Sequence, residues 1–199
     1  MPRIRGASIE EHHEMVWADI AEAVRRLLRE RDYDSINMGH IAAGAGLARN
    51  TLYNYAGDKG ALVLALTRRV GRPAVERVAA VAARSADPAA ERMREIIAVV
   101  LEAFRDQILQ LMFLPGSAET PKGPDSPFHE IVVEVENVVR AGIGRGEFRD
   151  VGDVRLTVEL LSGVMRSGAE RIGRDPAAFT GTVRTAREII LASLTRRPD

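Results

Sequence analysis

The stretch Met38 to Leu62, MGHIAAGAGLARNTLYNYAGDKGAL, constrains the fold more tightly than any other part of this 199-residue chain. It reads as a helix, a glycine turn, a second short helix and an Asp-Lys start to a third. Ile41, Ala42 and Ala45 fall on one face at i, i+1 and i+4. Ala42 is small where a second helix must cross closely. Gly46 falls where the first helix must stop, and glycine accepts the left-handed conformation needed there at low cost. Leu47 tucks into the angle, while Leu52 and Tyr55 give the second helix its inward face. Outward stand Ala48, Arg49, Asn50, Thr51, Tyr53 and Asn54: donors, acceptors, one cation and no acid. Two helices joined by a short Gly-containing turn form an arrangement that pushes the second helix into a DNA major groove. The face suits groove and phosphate contacts. The plain alternative is a helical hairpin whose polar face meets only water.

Composition fits a helical protein around this element. Hydrophobic residues make up 46% and aromatic residues 5%, with Ala, Val, Leu and Arg dominant, which favours helix over sheet. The chain has no cysteine, so disulfides and thiolate metal sites are excluded. No run of about 18 apolar residues spans a membrane, and the N-terminal MPRIRG lacks the apolar segment of a secretory signal. The expectation is a cytoplasmic protein. Its formal net charge is zero, with 28 basic and 28 acidic side chains. Residues 1–72 carry 11 Lys and Arg against 9 Asp and Glu, leaving 17 against 19 for the remainder. That is not the basic imbalance of a nucleic-acid binder held by charge alone. Distribution counts for more: Glu10, Glu11, Glu14, Asp19 and Glu22 lie on the first helix, whereas Arg49 and Lys59 sit with the motif. A dimer would double each small contact set.

An enzyme is the rival of a different class, and the residues argue against it. The four histidines are His12, His13, His40 and His129. His12 and His13 are adjacent on a helix and cannot face one metal well; His40 reads as solvated surface. No catalytic constellation has defensible spacing, and no metal or cofactor is expected.

Along the chain, residues 1–8 hold Arg3 and Arg5 in no periodic pattern, either a loose start or a basic arm for DNA. A first helix is expected from about Ile9 to Arg31, with Val16, Ile20, Ala23, Val24, Leu27 and Leu28 recurring at three and four residues. Trp17 lies at the edge of that stripe as a packing residue. Asn37 is a good N-cap for the first motif helix, and Asp58 for a fourth helix. That fourth helix runs through Leu62, Leu66 and Val70, and Pro73 is expected to kink or end it. Asp87-Pro88 starts a fifth helix to about Met112, apolar almost all round and so central to a bundle. The segment 114–127 is too rich in proline and glycine for a regular helix; it reads as a surface loop or as a gate over a pocket. Helices then follow from 127 to about 144, from Asp153 to about Ile172, and from Asp175-Pro176 onward. Gly142 to Arg149 is a helix end and turn, since it follows a helix and lacks the GxGxxG spacing.

The motif and its flanks together resemble the TetR family of bacterial transcriptional repressors. The resemblance runs from Trp17-Ala-Asp-Ile-Ala-Glu-Ala through Leu27-Leu28, Tyr33, Ile41-Ala42, Ala45-Gly46-Leu47 and Thr51-Leu52-Tyr53-Asn54-Tyr55 to Asp58-Lys59 and Leu62. It implies an all-α fold of about nine helices, with an N-terminal three-helix helix-turn-helix head and a C-terminal helical bundle that dimerises. Residues 1–55 would form the DNA-binding domain and 56–199 the effector-binding and dimerisation domain. It further implies a regulator, a repressor, that binds a palindromic double-stranded DNA operator as a homodimer. By this resemblance Lys59 and neighbouring amides grip a phosphate at a helix N-terminus. Two positions depart from the family pattern. Ala48 stands where Ser or Thr usually caps the recognition helix, and Ala56 where phenylalanine is usual, so packing there is loosened or a larger neighbour fills the gap.

Site residues follow. Arg49 is the candidate for direct base readout. Asn50 and Asn54 read a base or a phosphate, and Thr51, Tyr53, Tyr55 and Lys59 position the backbone. A small apolar or aromatic effector is expected. Its pocket would draw Met93, Ile97, Val100, Leu101 and Phe104 from the fifth helix, Met112 and Phe113 after it, and Phe128, Ile131 and Val135 from the next. No acid or base is among them. Leu160, Gly163, Val164 and Ser167, with Val183 and Ile190, form the expected dimer interface. The alternative function is a helical ligand-binding or adaptor protein with weakened DNA binding, in keeping with Ala48, Ala56 and the neutral charge.

Overall fold

The computed structural model describes residues 8–114 and 123–195. The proposed basic arm at Arg3 and Arg5 and most of the proposed gate therefore lie outside the described residues. Among the described residues the chain is all helical, with nine α-helices and no strand. They are α1 (Ile9–Glu30), α2 (Met38–Gly44), α3 (Arg49–Tyr53), α4 (Lys59–Ala82), α5 (Ala89–Ala103), α6 (Gln107–Gln110), α7 (His129–Gly144), α8 (Val154–Arg174) and α9 (Phe179–Leu194).

Most helix starts obey the capping chemistry of their sequence. Ser8, Asn37, Asp58, Asp106 and Asp153 each accept a hydrogen bond from a backbone N–H of the helix they precede, satisfying a donor that the first turn leaves free. Asn37 does more. Its Oδ1 accepts from His40 N at 2.9 Å while His40 Nδ1 accepts from Asn37 N at 3.4 Å, a reciprocal capping box. His40, expected as plain surface, is thus a structural residue of α2. Helix α5 is capped differently, because Pro88 stands at its N-cap without a side-chain bond. Glu147, from the turn after α7, accepts from Ala89 N instead. That N–H, helped by Arg145, holds the Glu147 carboxyl below the usual carboxylate range.

Pro73 does not end α4, which continues through it to Ala82. Proline costs this helix one N–H bond. Val75, Val78, Val81 and Ala82 are buried in the body core on the far side of it, so packing outweighs the local defect. The fifth helix, by contrast, stops at Ala103, well short of Met112. Asp106 caps a new short helix, α6, accepting from Ile108 N at 2.9 Å. Gln110 Nε2 donates to the freed Phe104 carbonyl and, at 2.9 Å, to Ala169 O of α8, so the break is filled with polar contacts.

Two large apolar clusters result, with a small third one of Tyr33, Val63 and Leu111. The N-terminal one gathers Val16, Trp17, Ile20 and Val24 of α1, Ile41 of α2 and Leu52 of α3 with Leu62 and Leu66 of α4 and Ile108 of α6. The second holds α4 beyond Val70 together with α5, α7, α8 and α9. At its far end Gly142 lies against Phe148 and Ala89 so closely that a Cβ would overlap both. The glycine of that turn is there for packing. Helix α6 belongs to both clusters, since Ile108 faces the first and Leu109 the second.

Candidate nucleic-acid interface

The turn between α2 and α3 is a Schellman motif. Gly46 takes φ +66; Leu47 N donates to Ala42 O at 2.9 Å and Gly46 N to Ala43 O at 3.2 Å. From the side, Arg26 Nη2 of α1 donates to Gly44 O at 2.8 Å. The last carbonyls of α2 are therefore bonded, and the direction in which α3 leaves is set.

Helix α3 is only five residues long, and Ala48 gives it no side-chain cap. A helix this short is not stable by itself. Leu52, 0% exposed in the N-terminal core, holds it. With Leu52 inward, Ala48, Arg49, Asn50, Thr51, Tyr53 and Asn54 all stand exposed on the opposite side. The Arg49 guanidinium lies 5.7 Å from the Tyr53 ring centroid, and its Nη2 is 3.4 Å from the Tyr53 hydroxyl. This i, i+4 pair orients the arginine without neutralising it. Three other head arginines are committed to acids: Arg25 to Asp106, Arg29 to Glu22 and Arg69 to Glu14. Arg49 makes no ion pair among the described residues.

Tyr55 and Lys59 sit behind this face. The Tyr55 ring is half-buried, edge-on to Trp17 at 5.4 Å and beside His13 at 5.4 Å. Ala56 is buried in the same cluster as Trp17, against which Tyr55 also packs. Lys59 Nζ donates to Tyr33 O and Ile36 O, both at 3.0 Å, and lies 4.0 Å from the Tyr33 ring centroid. Burial, with Asp34 and Asp58 nearby, pushes the Tyr33 phenol above its ordinary value. Two of the three ammonium donors thus fasten the start of α4 to the turn before α2.

In the body, the candidate effector residues are part of one core. Met93, Ile97, Leu101, Phe104 and Ile131 are buried, and Val100, Met112, Phe113, Phe128 and Val135 pack against them. Phe104 is 5.2 Å from Phe113 and 5.4 Å from Phe128, centroid to centroid. A Cβ on Gly71 of α4 would meet the Phe128 ring at 3.0 Å, so α4 runs directly beneath it. The link back to the head is polar as well as apolar. Asp106 Oδ2 accepts from Arg25 Nη2 at 2.7 Å and from Arg25 Nε at 3.0 Å, joining α6 to α1. Sequence reasoning placed Asp106 inside a long helix and so missed this contact. An Asp two residues before Ile108-Leu109 was the available signal, as an N-cap.

The candidate dimer face divides in two. Leu160 of α8 is 68% exposed, Gly163 faces open space and Ser167 is exposed, whereas Val164 is half-buried against the chain's own core. Val183 and Ile190 are buried there too, Ile190 to 2% exposure, and have little surface to offer a partner. Leu156 and Ile189 occupy the outward positions instead, at 51% and 49% exposed.

Comparison with known proteins agrees with this architecture. Residues 20–66 match the family of bacterial regulatory proteins, tetR family. An uncharacterized HTH-type transcriptional regulator from two strains of Mycobacterium tuberculosis is 40% identical over 91 residues, 44% of this chain. The chain spans 43% of the length of those relatives. The fold resembles the fatty acid degradation regulator FadR from Bacillus halodurans, with a TM-score of 0.71 at 16% identity over 98% of this chain and 100% of that one. It also resembles SmeT, the repressor of the Stenotrophomonas maltophilia multidrug efflux pump SmeDEF, with a TM-score of 0.69 at 17% identity over 90% of each. FadR from Bacillus subtilis in complex with stearoyl-CoA gives 0.68 at 16% over 91% of this chain and 98% of that one. At such identities the likeness is one of fold. Among the described residues no helix is long and apolar enough to cross a membrane.

Proposed function

We propose that this chain is a TetR-family transcriptional regulator and a repressor, a reading supported by the match of residues 20–66 to that family and by the fold. It binds a palindromic operator as a homodimer and is released by a small apolar or aromatic effector. The observation that carries this reading is the outward face of α3, where Arg49 is oriented by Tyr53 and paired with no acid. Arg49 reads a base, its forked donors matching the O6 and N7 acceptors of a guanine. Asn50 and Asn54 contact a base or phosphate, and Thr51 and Tyr53 hold the backbone register. Tyr55 and Lys59 act from behind by fixing where α3 lies. The protein works in the cytoplasm, as a binding protein with no catalytic role.

Residues 1–55 serve as the reading head and 56–199 as the sensing and dimerising body. Leu62, Leu66 and Ile108 make the boundary a packed seam. Leu156, Leu160, Gly163, Ser167 and Ile189 supply the two-fold contact, which sets two heads on half-sites about 34–36 Å, or a multiple, apart. The effector takes the place of ring packing around Phe104, Phe113 and Phe128. Since α4 passes under Phe128 and α6 follows Phe104, opening this cluster shifts the two elements that also build the head core. A ligand that prefers the shifted state lowers operator affinity by its differential affinity for the two states. Similar regulators solved with stearoyl-CoA and with triclosan support an apolar effector.

The test is binding of the intact protein to the DNA flanking its own gene, followed across a salt series. The expected result is a site-specific complex that weakens steeply with salt. Binding equal on unrelated DNA, or none, would favour the adaptor reading, which the uncapped α3 supports.

A further inference from the structure

A groove of about 580 Å³ runs between α5 and α9, lined by none of Phe104, Phe113 and Phe128. Its volume lies within the range of about 300–1,000 Å³ usual for small-molecule sites. The floor is apolar: Ala98 of α5, with Phe179, Val183 and Leu191 of α9. The rim is basic: Arg94, Arg184 and Arg187 against a single acid, Glu188.

These arginines differ from most others in the body. Arg84 pairs with Glu95, Arg105 with Glu102, Arg166 with Glu170 and Arg171 with Asp175. Among the described residues, Arg94 and Arg184 pair with no acid, and Arg187 uses only its Nε, donating to Arg94 O at 2.9 Å. The Arg105 guanidinium, already paired with Glu102, lies 5.0 Å from the Phe179 ring centroid at the start of α9. Unneutralised forked donors around an apolar trough match a ligand with a hydrocarbon body and an anionic end.

We propose that the α5–α9 groove is a second binding site, for amphipathic organic anions. The apolar chain lies along Ala98, Phe179, Val183 and Leu191, and the anionic group is held by Arg94 and Arg184, with Arg187 beside them. The site is independent of the effector cluster and does not require DNA binding.

Calorimetric titration of the intact protein with decanoate tests this. Decyltrimethylammonium serves as a cation with the same chain, and inorganic phosphate as an anion without one. Decanoate is expected to bind while neither control does, and Arg94→Ala with Arg184→Ala is expected to weaken decanoate at least tenfold. Both side chains are exposed, so the double variant should keep the parent melting temperature. Three outcomes would overturn the assignment: no decanoate binding, equal binding of the cationic analogue, or unchanged affinity in the double variant. Phosphate binding as tightly as decanoate would also reject the amphipathic class. A lost operator complex with intact decanoate binding would instead count against the repressor reading alone.

Discussion

The head and the body hold their candidate functional residues in opposite ways. In the head they point outward from α3, a five-residue helix fixed from behind by Leu52, the Tyr55–Trp17 pair and Lys59. In the body they point inward, and Phe104, Phe113 and Phe128 are at once core and candidate pocket. A reading surface can therefore change without cost to the fold, whereas a sensing core cannot. The two regions meet at α6, where Ile108 serves the head core, Leu109 the body core, and Asp106 holds Arg25 of α1.

That contrast is broken most forcefully from the body side. Phe104→Ala should destabilise the protein by about 3–5 kcal/mol, the usual range for a buried aromatic truncated in a packed core, as measured by denaturant unfolding. A loss below about 1 kcal/mol would mean that the rings do not pack as one core. Lys59→Met comes next. Removing two carbonyl bonds from a charged donor should cost about 1.5–3 kcal/mol, read by the fluorescence of Trp17, the single tryptophan, which lies in the head core. The salt slope of DNA binding should stay unchanged. A slope smaller by about one would return Lys59 to the phosphate contact that its position in the motif suggested.

Ala48→Ser sharpens the comparison from the head side with the smallest effect. A cap on α3 should add about 1 kcal/mol to head stability and tighten DNA binding, because less ordering is left to be done on the operator. Unchanged stability would show that Leu52 alone already sets the helix.

How much was legible in the sequence follows the same division. Gly46, Asn37, Leu52 and the outward set from Ala48 to Asn54 are governed by spacing within a few residues, and the structure places them as the spacing implies. The intrachain bonds of Lys59 and His40 were not legible, because the partners of Lys59 come from the turn at Tyr33 and Ile36 and the ring of His40 closes a cap. In the body, the apolar period gave the helices, but Pro73 and Phe104–Asp106 show where tertiary packing decides. Core contacts carry α4 through a proline, while an aspartate cap ends α5 in a run that still looks helical. Which apolar residues of α9 face out was not legible for a related reason. Val183 and Ile190 are as apolar as Ile189, and only the position of α5 and α8 selects which of them faces out.

The central claim is that the exposed face of α3, led by Arg49, reads DNA. Its most direct test is fluorescence anisotropy with labelled DNA from the region flanking the gene, comparing the parent with Arg49→Ala at several salt concentrations. The variant should lose about 1–3 kcal/mol of operator binding, with relaxed preference at one base position in each half-site and an unchanged melting temperature. Binding equal to the parent, with the same sequence preference, would contradict the account.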